Sequence, residues 1–330
     1  YRPVELVVTG DISVLGRMVA TASESLTFGG NVVFAGGAFA AADTTVTLSS
    51  TDTASWQVAD GLAKIDPSTD TSVVEIDVPS GTKALKCGVA NGNQKGLLVK
   101  KGLGLLQLDK GNEALAYKVS LRIDSGTLRA PTNFVSGSTF TYEFNDVEVK
   151  DGATFFPAIC FGTTSCPLTS LVSLTGGGLV TNDTRSAHGG QLIVDGDGPE
   201  CEFSGRLCGG VRFICRRKMR LTGIDSTSST RNGDVMSAGN NNGQFGAGAQ
   251  LSLVKFGNVG EPSSAGSGKL QFYARSGDNA GAIRYLGTGE TSDKGFTLYG
   301  KAAYPSLLDA GEYGGLTLTG TFDINTSTPQ

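Results

Sequence analysis

The sequence contains one histidine, His188, and one tryptophan, Trp56. A serine nucleophile needs a base such as imidazole, and His188 stands in a turn-like Arg-Ser-Ala-His-Gly-Gly stretch typical of a solvent-facing side chain. We therefore expect no histidine-based catalysis and no histidine metal site, and we assign the chain no cofactor.

Long apolar runs and excess positive charge are also missing. No apolar stretch reaches the length of about 18 residues that a membrane-spanning helix needs. The 27 lysines and arginines are outnumbered by 31 aspartates and glutamates, for a net charge of −4, which argues against a nucleic-acid partner held by bulk charge. The sequence starts at Tyr1 without a charged-then-apolar leader, which we expect of a mature secreted chain and equally of a trimmed one.

Glycine, in contrast, is abundant, with 48 among 330 residues, about twice its usual share. Apolar residues recur at every second position in short bursts, as at Leu106 and Leu108 or Val147 and Val149. Such bursts predict short strands with one face inward, and no stretch has the periodicity of a helix. The predicted class is all-β, either a coil of stacked rungs or, as the alternative, a pair of Greek-key sandwiches.

One stretch reads as a repeat unit. Residues 100–108 are Lys-Lys-Gly-Leu-Gly-Leu-Leu-Gln-Leu, and after a variable bridge residues 119–130 alternate and end Gly-Thr-Leu-Arg-Ala. Gly104 and Gly126 are about 22 residues apart, which suits one turn of a three-sided parallel β-coil. In such a coil glycine turns the corner and like residues stack from rung to rung.

This unit resembles the autotransporter-associated β-strand repeat of large bacterial surface proteins. The matching positions are Gly102, Gly104, Leu106, Leu108, Gly126, Thr127, Leu128 and Arg129. Leu105 departs from the pattern, because the family usually has threonine there, and it adds an apolar group to the outer face. Weaker copies stand at 147–155 and 189–196. The resemblance implies a right-handed parallel β-helix on a secreted or surface-exposed bacterial protein.

We divide the chain into an N-terminal strand segment (1–25), a β-helix body (26–310) and a C-terminal strand segment (311–330). In both end segments apolar and polar residues alternate, and neither segment has a visible cap. We therefore expect them to pair with another copy and build a homopolymer. The alternative is that they close the ends of their own domain. The assembly candidates are Leu6, Val8, Ile12, Val14, Leu316, Leu318, Phe322 and Ile324.

The six cysteines form an even set without a Cys-x-x-Cys pair. This count suits an oxidising compartment and predicts at least one disulfide, the alternative being buried free thiols. The candidates are Cys87, Cys160, Cys166, Cys201, Cys208 and Cys215.

Two charged clusters are candidate sites. Asp195, Asp197 and Glu200 carry oxygens of the kind that Ca²⁺ binds, although Asp-Gly steps are also ordinary turn chemistry. A basic run, which predicts a positive stripe on a strand, suits an acidic polysaccharide or an acidic subunit face, or else is a solvated strand that discourages wrong pairing. Its members are Arg212, Arg216, Arg217, Lys218 and Arg220.

These features favour a non-catalytic extracellular protein on a bacterial surface, either a filament subunit or an adhesin. Its expected partners are other copies of itself, a polysaccharide or a host surface. Two alternatives remain. One is a β-helical polysaccharide lyase or glycoside hydrolase, which needs a cleft lined by Asp and Arg. The other is a viral receptor-binding spike, which needs a three-fold interface.

Overall fold

A computed structural model describes the chain over residues 6–8, 12–13, 18–22, 26–28, 32–33, 45–50, 64–65, 73–85, 88–89, 97–108, 120–130, 141–157, 168–182, 191–227, 234–238, 249–264, 266–274, 282–300, 307–310 and 314–325. These residues form 32 strands, numbered β1 to β32 in chain order, and no helix. Accordingly, no described segment is a helix able to cross a bilayer.

The largest sheet, here the long sheet, has 13 strands. In order they are β3 (Met18–Ala22), β6 (Thr45–Ser50), β8 (Val73–Asp77), β11 (Leu97–Lys101), β13 (Ser120–Ile123), β15 (Thr141–Val149), β17 (Leu168–Thr175), β19 (Gln191–Val194), β22 (Arg212–Cys215), β24 (Asp234–Ala238), β26 (Lys269–Ala274), β29 (Phe296–Gly300) and β32 (Phe322–Asn325).

A six-stranded sheet and a five-stranded sheet accompany it. The six-stranded sheet contains β9 (Thr82–Leu85), β12 (Leu105–Leu108), β14 (Thr127–Arg129), β16 (Thr154–Phe156), β18 (Leu179–Asn182) and β21 (Arg206–Gly209). The five-stranded sheet contains β20 (Cys201–Phe203), β23 (Lys218–Leu221), β25 (Gln250–Leu253), β27 (Ala282–Tyr285) and β30 (Leu307–Asp309).

Four two-stranded sheets complete the set. They join β1 (Leu6–Val8) to β4 (Leu26–Phe28), β2 (Ile12–Ser13) to β5 (Val32–Val33), β7 (Lys64–Ile65) to β10 (Gly88–Val89), and β28 (Glu290–Ser292) to β31 (Leu316–Leu318).

Strand pairing is parallel in every ladder of the described residues, and the strands of each large sheet follow one another in chain order. Leu106 pairs with Leu128, and Leu98 pairs with Leu121, each about 22 residues further along, the length of a solenoid repeat. The expected all-β class is confirmed. Parallel ladders are consistent with a parallel β-helix and not with a Greek-key sandwich, which is antiparallel.

The inward rows of the three large sheets share one hydrophobic cluster. In the six-stranded sheet this row is fully buried and passes in register from strand to strand: Leu106, Leu128, Phe155, Val180 and Leu207. Phe155 meets Phe144 of the long sheet edge-on, with ring centroids 6.3 Å apart. Of this row, the alternation in the sequence identified Leu106, and it also correctly placed Leu108, Val147 and Val149 in the interior.

Strand β17 departs from that alternation. Val172 and Leu174 look like one inward pair in the sequence, but Val172 is half-buried while Leu171 and Leu174 are both fully buried. Ser173 is also buried and donates to Asp146 Oδ1 at 2.6 Å. A hydrogen-bonded serine can replace an apolar residue in this way because its hydroxyl is satisfied.

Glycines form the corner between the long and six-stranded sheets because successive rungs approach closely there. Gly104 N donates to Val78 O at 2.8 Å, and Thr127 N donates to Gly104 O at 3.1 Å. Gly126 has a φ of 64°, and a Cβ on it would lie within 2.6 Å of Gly104 O. The glycines of the repeat thus let backbone hydrogen bonds continue around the corner.

Three buried cations also bind backbone carbonyls near corners. Lys100 Nζ donates to the carbonyl oxygens of Lys101 (2.7 Å), Gly102 (2.6 Å) and Ser125 (3.1 Å). Arg217 donates to Val172 O and Pro199 O, both at 2.5 Å. Lys294 Nζ donates to Phe256 O, to Gly266 O at 2.6 Å and to Ser263 Oγ at 2.9 Å.

Candidate functional site

The basic run does not form the expected positive stripe. Lys218 is exposed and Arg220 half-exposed on β23, but Arg217 is buried against carbonyl oxygens. Arg216 pairs with Asp195 at 3.3 Å, and only about a tenth of either side chain is exposed. The side chain of Arg212 lies outside the described residues. The run is therefore divided between the interior and two ion-pair systems.

The outward side chains of the five-stranded sheet, here the five-stranded face, include two arginines that face carboxylates. Strand register aligns Glu202, Arg220, Ser252, Arg284 and Asp309 in one row. Arg220 lies 3.2 Å from Glu200 and 3.7 Å from Glu202, and Arg284 lies 3.2 Å from Asp309. Both arginines of this face are therefore paired with carboxylates, whereas Lys218 is exposed.

The candidate calcium ligands do not converge. Asp195 faces Arg216, and Glu200 accepts hydrogen bonds from Arg220 and, at 3.0 Å, from Ser252 Oγ. The part of the chain that the structure describes holds no group of three acidic, thiol or imidazole residues able to bind a metal ion. Burial raises the pKa of Asp195, an effect that the nearby Arg216 opposes.

Three of the six cysteines are described, and all three are free thiols: Cys201, Cys208 and Cys215. Burial raises the pKa of Cys201, and it raises that of Cys215 to about 12. These two thiols are therefore poor nucleophiles at neutral pH. The expected disulfide is not seen among them, while Cys87, Cys160 and Cys166 lie outside the described residues.

The assembly candidates lie in strands that pair within the chain. Leu6 and Val8 belong to β1, which pairs with β4, and Ile12 belongs to β2, which pairs with β5. Val14 is outside the described residues. Leu316 and Leu318 are partly buried in β31, and β32 carries Phe322 and Ile324 next to β29. Phe322 is 52% exposed.

The six-stranded face, defined here as the outward side chains of β12, β14, β16, β18 and β21, differs from the five-stranded face. It carries two cations and no acid. Its members are Leu105, Gln107, Thr127, Arg129, Thr154, Phe156, Leu179, Thr181, Arg206 and Cys208. Leu105 lies on this outer face as the sequence indicated.

Arg129 and Phe156 form the centre of the six-stranded face. They are direct cross-strand partners, and the guanidinium carbon of Arg129 lies 4.8 Å from the centroid of the Phe156 ring. Arg129 makes no ion pair with a described residue, and its Nε is covered without a hydrogen-bond partner. Sequence reasoning identified Arg129 only as a repeat position, because the cross-strand neighbour of a residue is not visible in the sequence.

No family model and no solved structure matches this chain. The chain is 27% identical over 209 residues to the adhesin BmaC autotransporter of Brucella suis biovar 1 (strain 1330). The match covers 62% of this chain and 5% of that adhesin. The chain is thus similar to a small part of an autotransporter adhesin, the class of protein that the repeat unit indicated.

Proposed function

We propose that this chain is part of the passenger of a bacterial autotransporter adhesin, located outside the cell or on its surface, and that it acts by binding. The similarity to an autotransporter adhesin carries the proposal. The parallel ladders in chain order support it, because a solenoid exposes long sheet faces to partners. We further propose that the rungs wind as a right-handed parallel β-helix, the hand that parallel crossovers favour.

Adhesion of coated beads tests this proposal. Beads that carry the folded chain should adhere to cultured epithelial cells, and free folded chain should compete with them. Beads that carry heat-unfolded chain at the same density are the control. Equal adhesion of both bead types would contradict the proposal.

The enzymatic alternative makes a different prediction. A lyase or glycosidase would release new reducing ends from a soluble polysaccharide, whereas we expect none from this chain. Reducing-sugar release above a buffer blank, with uronate-rich and neutral polysaccharides as substrates, would favour the enzyme.

Self-association is the second proposed property. The half-exposed Phe322 stacks on the buried Phe296 with ring centroids 5.4 Å apart. Leu316 and Leu318, packed against the same core, are only partly buried. We propose that a second copy covers this apolar group, which would make the contact that builds a homopolymer. The viral-spike alternative would instead give a closed trimer in sedimentation.

A further inference from the structure

We propose that the six-stranded face binds an acidic polysaccharide, with Arg129 and Arg206 contacting its carboxylate or sulfate groups and Phe156 contacting a sugar ring. This inference rests on the proposed adhesive function and names the class of ligand.

Charge distinguishes this face from the rest of the described surface. The whole chain carries a net charge of −4, so an anionic polymer is repelled by its bulk charge. Strands β12 to β21 nevertheless present Arg129 and Arg206 without any outward acid. An anionic ligand is therefore best accommodated here, where no carboxylate has to be displaced.

The state of the arginines supports the same ligand. On the five-stranded face Arg220 and Arg284 face carboxylates, and in the long sheet Arg122 pairs with Asp124 at 2.8 Å. Neither Arg129 nor Arg206 has an ion-pair partner among the described residues. A guanidinium presents a planar fork of donors that matches carboxylate and sulfate oxygens. Arg129 is also held over Phe156, which reduces the entropy lost on binding.

The uncharged residues of the face suit a sugar. Phe156 is half-buried and offers a flat apolar surface, and Thr127, Thr154 and Thr181 carry hydroxyl groups that both donate and accept hydrogen bonds. Thr127 and Thr154 are direct cross-strand partners. A sugar ring likewise combines apolar C–H groups with hydroxyls.

The dimensions suit a polymer. The face crosses five neighbouring strands from β12 to β21 and is about 19 Å long, because adjacent strands lie about 4.8 Å apart. Arg129 on β14 and Arg206 on β21 are three strand steps apart, and Arg206 aligns with Thr127, two residues from Arg129 along the strand. The two positions are therefore about 16 Å apart. One monosaccharide cannot reach both cations, whereas an extended chain can.

Heparin is the probe that tests this inference. We expect the folded chain to bind a heparin-coated sensor at about 0.15 M salt. This binding should weaken as the salt concentration rises, because salt screens ionic contacts. The double variant R129Q/R206Q should bind about a hundredfold more weakly, since each charged hydrogen bond contributes roughly tenfold. Phe156→Leu should weaken binding about threefold to tenfold through loss of the ring.

The double variant R220Q/R284Q is the matched control. It removes the same two positive charges from arginines that are already paired with Glu200, Glu202 and Asp309, so binding should change less than about twofold. Thermal unfolding of all variants shows that they remain folded. No binding by the wild type, full binding by R129Q/R206Q, or an equal loss in R220Q/R284Q would overturn the inference.

Failure here differs from failure of the proposed function. If beads adhere to cells but the chain does not bind heparin, the ligand assignment is wrong and the adhesive function is still supported. If heparin binding depends on Arg129 and Arg206 but beads do not adhere, the adhesive function is wrong and the face still binds acidic glycans.

Discussion

Corner glycines of this protein meet two separate demands, a positive φ and a close approach of the next rung. Gly81 and Gly126 have φ values of 70° and 64°. A Cβ on Gly81 would meet nothing within 4 Å, whereas on Gly126 it would lie within 2.6 Å of Gly104 O. Gly81 is therefore required only for its positive φ, whereas Gly126 is required both for its positive φ and for the close packing of the next rung.

We predict that Gly126→Ala destabilises the protein more than Gly81→Ala. Both changes force an alanine into the left-handed region, which costs about 1–2 kcal/mol, but only the first also pushes adjacent rungs apart. Urea unfolding measures both variants in parallel. Equal losses would show that the rungs at Gly126 have more room than the structure gives them.

Buried cations organise whole elements, and Lys294 holds the segment between β25 and β26. The ammonium group of Lys294 makes three hydrogen bonds to this segment. In addition, Glu290 accepts hydrogen bonds from the backbone N–H groups of Phe256 (2.5 Å) and Gly257 (3.2 Å). Asp293 accepts one from Val259 N at 2.7 Å. Residues 290–294 thus hold the segment between β25 and β26, from the preceding rung, through hydrogen bonds.

We predict that Lys294→Met loosens this loop and lowers the free energy of unfolding by about 2 kcal/mol, because buried acceptors lose their donor. Limited proteolysis should then cut near 254–268 faster than in the wild type. Lys218→Met, on the exposed surface of β23, is the control and should leave both measurements unchanged. Equal proteolysis of K294M and wild type would contradict the role assigned to Lys294.

Lys294 also predicts a pH dependence. Burial lowers the pKa of Lys294 from the ordinary lysine value of 10.5 to about 8. The nearby Glu290, Asp293 and Glu261 oppose this shift, and Lys255 reinforces it. Between these values the unfolded chain binds more protons than the folded one, so stability rises with pH across this window. The gain is up to about 3 kcal/mol. Wild type should therefore gain stability relative to K294M between pH 7.5 and 10.5 in urea titrations, and a constant difference would contradict this.

At the element scale, the sequence predicts those features that one strand carries by itself. Alternation identifies the inward residues Leu106, Leu108 and Val147, and glycine identifies the corners. The sequence does not reveal cross-strand neighbours, which depend on bridge lengths between rungs. For this reason the basic run suggested a positive stripe, although Arg216 meets Asp195 and Arg220 meets Glu200. The contact of Arg129 with Phe156 was missed for the same reason.

Considered as a whole molecule, the protein exposes few large apolar side chains among its described residues: Leu103, Ile224, Val259, Leu308 and Phe322. Leu103 is 81% exposed at a corner, away from the strand rows. Phe322 belongs to β32, at the edge of the long sheet. The proposed homopolymer contact therefore depends on Phe322 and not on apolar exposure in general.

We predict that Phe322→Asp abolishes self-association of the purified chain while Leu103→Asp does not. A charge cannot be buried at the proposed contact without a partner, whereas Leu103 remains in water in either state. Sedimentation velocity over a range of protein concentrations distinguishes the variants. Because Phe322 is half-exposed in the single chain, its replacement should shift thermal unfolding only slightly. Concentration-independent monomers of the wild type, or polymers of F322D equal in size to those of the wild type, would show that β32 is not the joint between copies.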